Sequence, residues 1–187
     1  MIPTEENDAF VIVDMLNDFI DGALANPIAK AAVKPTVRFI ESFRGRKILV
    51  LKDTHPKNYA ATFEGRHLPV AHCIQGTPGA DVNPEIQKAL DAFRARGGSV
   101  FEIPKNYFML NPADVPDLRL GKSGKLFLGG TCTEICVVNN ALLLHRILPD
   151  TEMIVLRDLC AALDAKGEES AFHVMRACQI TVGESER

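Results

Sequence analysis

Tryptophan is missing from this chain and tyrosine occurs twice, so aromatic residues make up only 6% of its 187 positions. Nothing in that sparse set marks an aromatic-rich interface. There is no apolar run near the ~20 residues that a membrane span requires. Neither sign of charge dominates: 21 Lys plus Arg oppose 24 Asp plus Glu, a net charge of -3. That balance gives no electrostatic footprint for nucleic acid or an anionic membrane. The N-terminal MIPTEENDAF is acidic and lacks a basic flank followed by an apolar core, so it does not read as a signal peptide. No G-x-G-x-x-G or Walker pattern occurs, and Gly76-Thr77-Pro78-Gly79 reads as a turn rather than a phosphate loop. This removes dinucleotide binding as a use of the fold. The five cysteines are an odd number. With no secretion signal, they indicate free thiols in a reducing, cytoplasmic setting.

What is present is an ordinary globular composition, 47% apolar and 24% charged, in a length that fits one domain over 1–187. Short apolar runs at 9–13, 47–51, 99–103, 125–129, 152–156 and 178–182 read as buried strands. Between them, helical patterns cover 30–44, 83–96, 134–147 and 166–177; the first carries Val33, Val37, Ile40 and Phe43 at helical spacing. Gly45 and Gly97-Gly98 stand where C-terminal caps belong. The segment 105–121 is less regular. Strands alternating with helices predict an α/β fold, a three-layer αβα sandwich around a six-stranded parallel sheet.

In such folds, sites form beyond the carboxyl ends of the strands. Asp14 follows the first predicted strand, Asp53 and His55 the second and Lys105 the third. The loop Gly129-Gly130-Thr131-Cys132 ends the fourth and leads into a helix carrying Cys136. Each of these groups has a bland reading alone: Asp14 as a turn cap, Lys105 as a solvated loop residue, Cys136 as a core thiol. Together, four consecutive strand ends supplying reactive groups point to chemistry. A helix N-terminus and Lys105 would both favour a Cys136 thiolate, and Asp14 could take the thiol proton and hand it on. Cys132 and Cys136 lie four apart, but no second cysteine pair accompanies them, which argues against a cysteine metal site. Asp53 and His55 flank one residue and would face the same way on an extended strand end. With His72 they form a carboxylate and two-imidazole set that suits Zn, Fe or Mn; alternatively, both histidines are hydrogen-bonding residues in a long loop.

The segments FVIVDMLNDF at 10–19, LKDTHPKNY at 51–59, LPVAHCIQGTPGAD at 68–81, IPKNYF at 103–108 and GGTCTEICV at 129–137 together resemble the isochorismatase-like cysteine hydrolases, and among them the nicotinamidases. The resemblance implies a catalytic triad of Asp14, Lys105 and Cys136. It implies a cis peptide joining Thr131 to Cys132 and an oxyanion hole from the backbone N–H groups of Cys132 and Cys136. A divalent metal on Asp53, His55 and His72 would hold the substrate's pyridine nitrogen, with Glu64 as a further ligand and His67 as its competitor for that place. The implied reaction is hydrolysis of a small carboxamide, nicotinamide first, in a homo-oligomer. A metal-free relative acting on another amide or carbamoyl substrate is the alternative, and a non-catalytic binding module a second one.

One departure concerns the pocket. Nicotinamidases commonly carry an aromatic residue, often Trp, before the P-x-H-C segment; here Leu68 stands in that place, and Val70-Ala71 lengthen the gap from Pro69 to His72 by one. Phe19, Tyr107 and Phe108 are the remaining candidate pocket aromatics. His145 and His173 read as packing or surface histidines, and Cys73, Cys160 and Cys178 as core.

Overall fold

The computed structural model describes residues 2–116 and 124–186. Strand β1 (Ala9–Val13) is buried at every residue. The pattern AFVIV has no polar face, as a strand covered on both sides requires. It lies between β2 (Lys47–Asp53) and β4 (Lys125–Thr131), each parallel to it, and the sheet runs β3-β2-β1-β4-β5-β6. β3 (Ser99–Lys105) forms one edge; β5 (Glu152–Ala161) and β6 (Thr181–Gly183) complete the other side. Pro104 lies on the edge strand, where its missing N–H costs the ladder nothing.

The helices follow local signals. α1 (Asn17–Ile20) is a single turn after β1. α2 (Pro27–Ser42) opens with Asn26, whose side chain accepts from the Ile28 N–H at 2.8 Å, and with Pro27 in the first turn. That cap sets the start three residues earlier than the apolar periodicity alone suggests. α3 (Phe63–His67) is short; α4 (Pro84–Ala95) is capped by Asn83 in the same manner as α2. A π-helical turn over Thr133–Val137 precedes α5 (Val138–Ile147), and Asp164 caps α6 (Ala165–Ala177).

Two apolar cores lie on opposite faces of the sheet. One gathers Phe10, Phe39, Phe43, Phe93 and Phe127 beneath α2 and α4, with Phe10 and Phe39 edge to face at 4.8 Å between ring centres. The other packs Val11, Leu49, Leu128, Leu144, Phe172 and Met175 beneath α5 and α6. The six-stranded parallel sheet between two helical layers is thus present.

Several boundaries move. β3 runs on to Lys105 and β4 to Thr131, so Lys105, Gly130 and Thr131 are strand residues rather than loop residues. The last strand begins at Thr181, not at 178. Cys178 caps α6, its N–H bonded to the Val174 and Met175 carbonyls, and its thiol is exposed. The expectation that Cys178 belongs to the core is therefore corrected: the helix runs longer than its apolar stripe and carries Cys178 into solvent. Within the irregular stretch, 117–121 lies outside the described residues.

Gly130 shows how tightly the strand ends are built. Its φ is +138°, and a Cβ there would overlap the Val13 carbonyl oxygen. Gly130→Ala is expected to cost about 3 kcal/mol of stability through combined backbone strain and overlap. Gly76, at φ +79° with open space around it, provides the comparison; Gly76→Ala is expected to cost about 1 kcal/mol. Urea midpoints of the two variants measure the difference.

Candidate active site

Asp14 is the first residue after β1, and it takes a positive φ of 53° to turn its side chain back over the strand ends. It is fully buried. Its Oδ1 accepts the Asp53 N–H at 2.8 Å, and its Oδ2 lies 2.8 Å from Lys105 Nζ. The strand register places Asp53 opposite Lys105 at the ends of β2 and β3. Lys105 Nζ therefore sits at the centre of the group: 3.4 Å from Asp53 Oδ1, 3.2 Å from the Tyr107 carbonyl oxygen and 3.6 Å from Cys136 Sγ. Asp14, Lys105 and Cys136, three residues singled out at three strand ends, are brought into one buried cluster.

The charges of the cluster follow from its burial. Burial alone would lower the Lys105 pKa, but Asp14, Cys136 and Asp53 outweigh it and keep the ammonium charged. Burial pushes the Asp14 carboxyl up to about 6, against the pull of Lys105. Burial also pushes the Cys136 thiol well above its ordinary value, and the Asp14 carboxylate adds to this despite the nearby ammonium. Burial and the neighbouring charges together favour a carboxylate, an ammonium and a neutral thiol in this cluster. The helix N-terminus and Lys105, which favour a thiolate, are opposed by this burial and by Asp14. Regular α5 begins only at Val138, after Cys136, which itself lies in the preceding π-helical turn.

A second cluster adjoins the first through Asp53, whose two oxygens are divided between them. Oδ1 faces Lys105, while Oδ2 lies 2.9 Å from His55 Nε2 and 3.4 Å from His72 Nε2. Burial would raise the Asp53 carboxyl, but His55, His72 and Lys105 outweigh it and hold it below the usual carboxylate range. One ligand atom from each of Asp53, His55 and His72 lies within 4.8 Å of the others. Glu64 on α3 brings Oε1 to 3.7 Å from His55 Nε2 and 3.9 Å from His72 Nε2. His67 does not approach: it is exposed, bonded through Nδ1 to the Phe63 carbonyl oxygen at 2.8 Å. Between the two candidates for a further ligand, the geometry favours Glu64.

The donor set fits a divalent transition metal on independent grounds. His55 Nε2 is buried and has no hydrogen bond of proper direction, even with Asp53 Oδ2 so near. The His72 ring is fixed by its Nδ1 contact with the Val70 carbonyl oxygen at 2.8 Å, which leaves Nε2 turned to the cluster. Tyr59 packs its ring 4.7 Å from His55 and 5.1 Å from His72, and donates its hydroxyl to the Leu68 carbonyl oxygen at 3.0 Å. Sequence reasoning did not single out Tyr59, although it lies four residues after His55; its role comes from packing across the loop, which spacing does not reveal.

Both clusters open into one cavity of about 470 Å3. Asp53, Glu64, His72, Cys132 and Cys136 reach its polar end, while Phe19, Leu68, Phe108, Ile135 and Leu163 form apolar walls. The Thr131–Cys132 peptide at its floor is cis. Phe19, Leu68 and Phe108 are thus pocket residues. Tyr107 is not, which corrects its assignment as a pocket aromatic: its side chain is 77% exposed, because the turn that aims its carbonyl at Lys105 sends the ring outward. Ile135 and Leu163 were missed: Ile135 lies within GGTCTEICV but beside the residues given roles there, and Leu163 follows β5 with no motif of its own.

The chain is 28% identical over 141 residues to an uncharacterized isochorismatase family protein, PncA, of Bacillus subtilis, a match covering 71% of this chain and 75% of that relative. Among solved structures it resembles the N-carbamoylsarcosine amidase of Thermoplasma acidophilum at 26% identity and a TM-score of 0.72, covering 99% of this chain and 98% of the other. It also resembles the pyrazinamidase of Pyrococcus horikoshii, solved in complex with zinc, at 25% identity and a TM-score of 0.69, covering 97% and 99%. With the isochorismatase domain model matching residues 8–187, almost its full length, the chain belongs to the isochorismatase family of hydrolases.

Proposed function

We propose that this protein hydrolyses a small carboxamide to the acid and ammonia, with nicotinamide as the first candidate substrate. The observation that carries the reading is the buried Asp14–Lys105–Cys136 cluster, whose Cys136 lines a cavity that Asp53 and His72 also reach, with His55 beside them. The Cys136 sulfur attacks the amide carbon as its proton passes to Asp14. The carbonyl oxygen becomes an oxyanion, received by the backbone N–H groups of Cys132 and Cys136. Asp14 returns the proton to the amine, the C–N bond breaks and ammonia leaves a thioester on Cys136. Water then attacks the thioester, giving one proton to Asp14 and restoring the thiol as the acid departs. Lys105 remains an ammonium throughout and balances whichever of Asp14 and Cys136 carries negative charge.

A divalent ion held by Asp53, His55 and His72, with Glu64 nearby, would supply a Lewis-acid site for a heteroaromatic ring nitrogen of the substrate. Phe19, whose ring lies 5.5 Å from that of His72, would then flank the substrate ring. A second reading is favoured by Leu68, which offers an aliphatic wall where nicotinamidases commonly stack an aromatic, and by the likeness to an N-carbamoylsarcosine amidase. On that reading the substrate is a carbamoyl amide bound without a metal.

Ammonia release from nicotinamide, benzamide and an N-carbamoyl amino acid, together with metal analysis, separates the two. The nicotinamide reading expects about one metal ion per chain and nicotinamide preferred over benzamide, which lacks the ring nitrogen, by at least about tenfold in kcat/KM. Turnover of the carbamoyl compound alone by metal-free protein would replace it with the second reading.

A further inference from the structure

We propose that Asp18 is a positioning residue whose carboxylate ties the loop carrying His72 to the loop that walls the cavity, and so sets the metal affinity of the Asp53–His55–His72 cluster. This rests on the metal reading above. Asp18 stands in α1, outside both clusters. Its Oδ2 accepts the Cys73 N–H at 2.8 Å, and its Oδ1 accepts the Ala23 N–H at 3.1 Å. Cys73 directly follows His72 and holds a positive φ of 45°, a backbone state that a non-glycine residue keeps only when its surroundings fix it. The other side of the same peptide stretch is fixed by His55: the Cys73 carbonyl accepts the His55 N–H at 2.9 Å, and the His55 carbonyl accepts the Gln75 N–H at 2.9 Å. The segment bearing His72 is therefore held between one metal-ligand residue and Asp18.

The other oxygen of Asp18 reaches the turn leading to Ala23, Leu24, Ala25 and Asn26, which line the cavity. The sequence makes room for this carboxylate twice. A Cβ on Gly79 would overlap Asp18 Oδ2, and a Cβ on Gly22 would overlap its Oδ1. Two glycines in separate loops thus fit closely around the same side chain. A carboxylate has acceptors on both oxygens, whereas asparagine offers one acceptor and would turn an NH2 group toward the second N–H. Asp18→Asn therefore keeps the volume and breaks one of the two ties.

The test measures Zn2+ affinity of the metal-stripped full chain by chelator competition, and amide hydrogen exchange over residues 72–75 in the same metal-free protein. Asp18→Asn is expected to bind Zn2+ at least about tenfold more weakly than wild type, as other losses of support behind a metal ligand do. Its 72–75 amides are expected to exchange about tenfold faster. Asn17→Ala, which removes only a hydrogen bond to the Pro78 carbonyl oxygen in the same loop, is the control and should stay near wild type in both. If Asp18→Asn matches wild type in Zn2+ affinity and exchange, the inference is overturned. If wild type takes up no Zn2+, the metal reading falls with the affinity claim, while faster exchange in Asp18→Asn would still support the loop tie.

Discussion

Cys136→Ala is expected to release ammonia from the wild-type substrate at less than about a thousandth of the wild-type rate, with folding intact. The sulfur is the only group in the buried cluster able to form the thioester, and Asp14 and Lys105 have no alternative nucleophile within the distances described. The residual rate would come from binding and the oxyanion donors alone. The variant should also fail to accumulate a covalent adduct. Wild type quenched in acid during turnover should show added mass on the peptide containing Cys136, and the variant should show none. A Cys136→Ala protein that kept a tenth of the wild-type activity would remove the sulfur from the mechanism and leave the two clusters without a common chemistry.

Lys105→Met is the second large effect, and it falls on stability as well as activity. Removing the ammonium leaves Asp14, fully buried, and Asp53, 5% exposed, as neighbouring carboxylates without their shared cation. Breaking a buried pair in this way costs about 3–5 kcal/mol. The same loss drives Asp14 further toward its neutral form, so the proton acceptor disappears at neutral pH. Activity is expected to drop at least about a hundredfold even where the variant remains folded. A double variant, Lys105→Met with Asp14→Asn, separates the effects: it should recover a large part of the lost stability, because one uncompensated charge is gone, and none of the activity. Urea unfolding and ammonia release on the three proteins would check both statements. If Lys105→Met unfolds at the wild-type urea midpoint, the ammonium is not what allows the two carboxylates to lie buried.

The parts of this architecture that the sequence reveals are those encoded by local pattern. The runs AFVIV and KILVL read as covered strands, and their ends direct attention to Asp14 and Asp53 without any knowledge of pairing. The spacing of Asp53 and His55 likewise implies a shared face. What remained hidden depends on contacts between distant segments. Tyr59 packs on two histidines seventeen residues apart, and Asp18 serves two loops, but neither carries a periodic or compositional mark. The charge state of Cys136 depends on such contacts too: a helix start is legible in the sequence, whereas the burial and the nearness of Asp14 that push the thiol up are not. Tyr107 is not a pocket residue because its ring faces solvent while its carbonyl faces Lys105, a choice that the local sequence does not reveal.

Pro104 has a consequence for how the molecule behaves in a crowd. An outer strand with a full row of free donors is a template on which another chain can grow, and the residue beside it here is the lysine on which the buried charge depends. At Pro104 the donor is gone, so a foreign strand cannot continue its ladder toward the carboxyl end of β3. The substitution-sensitive end of the sheet is thereby shielded from aggregation by a residue that contributes nothing to its hydrogen bonding.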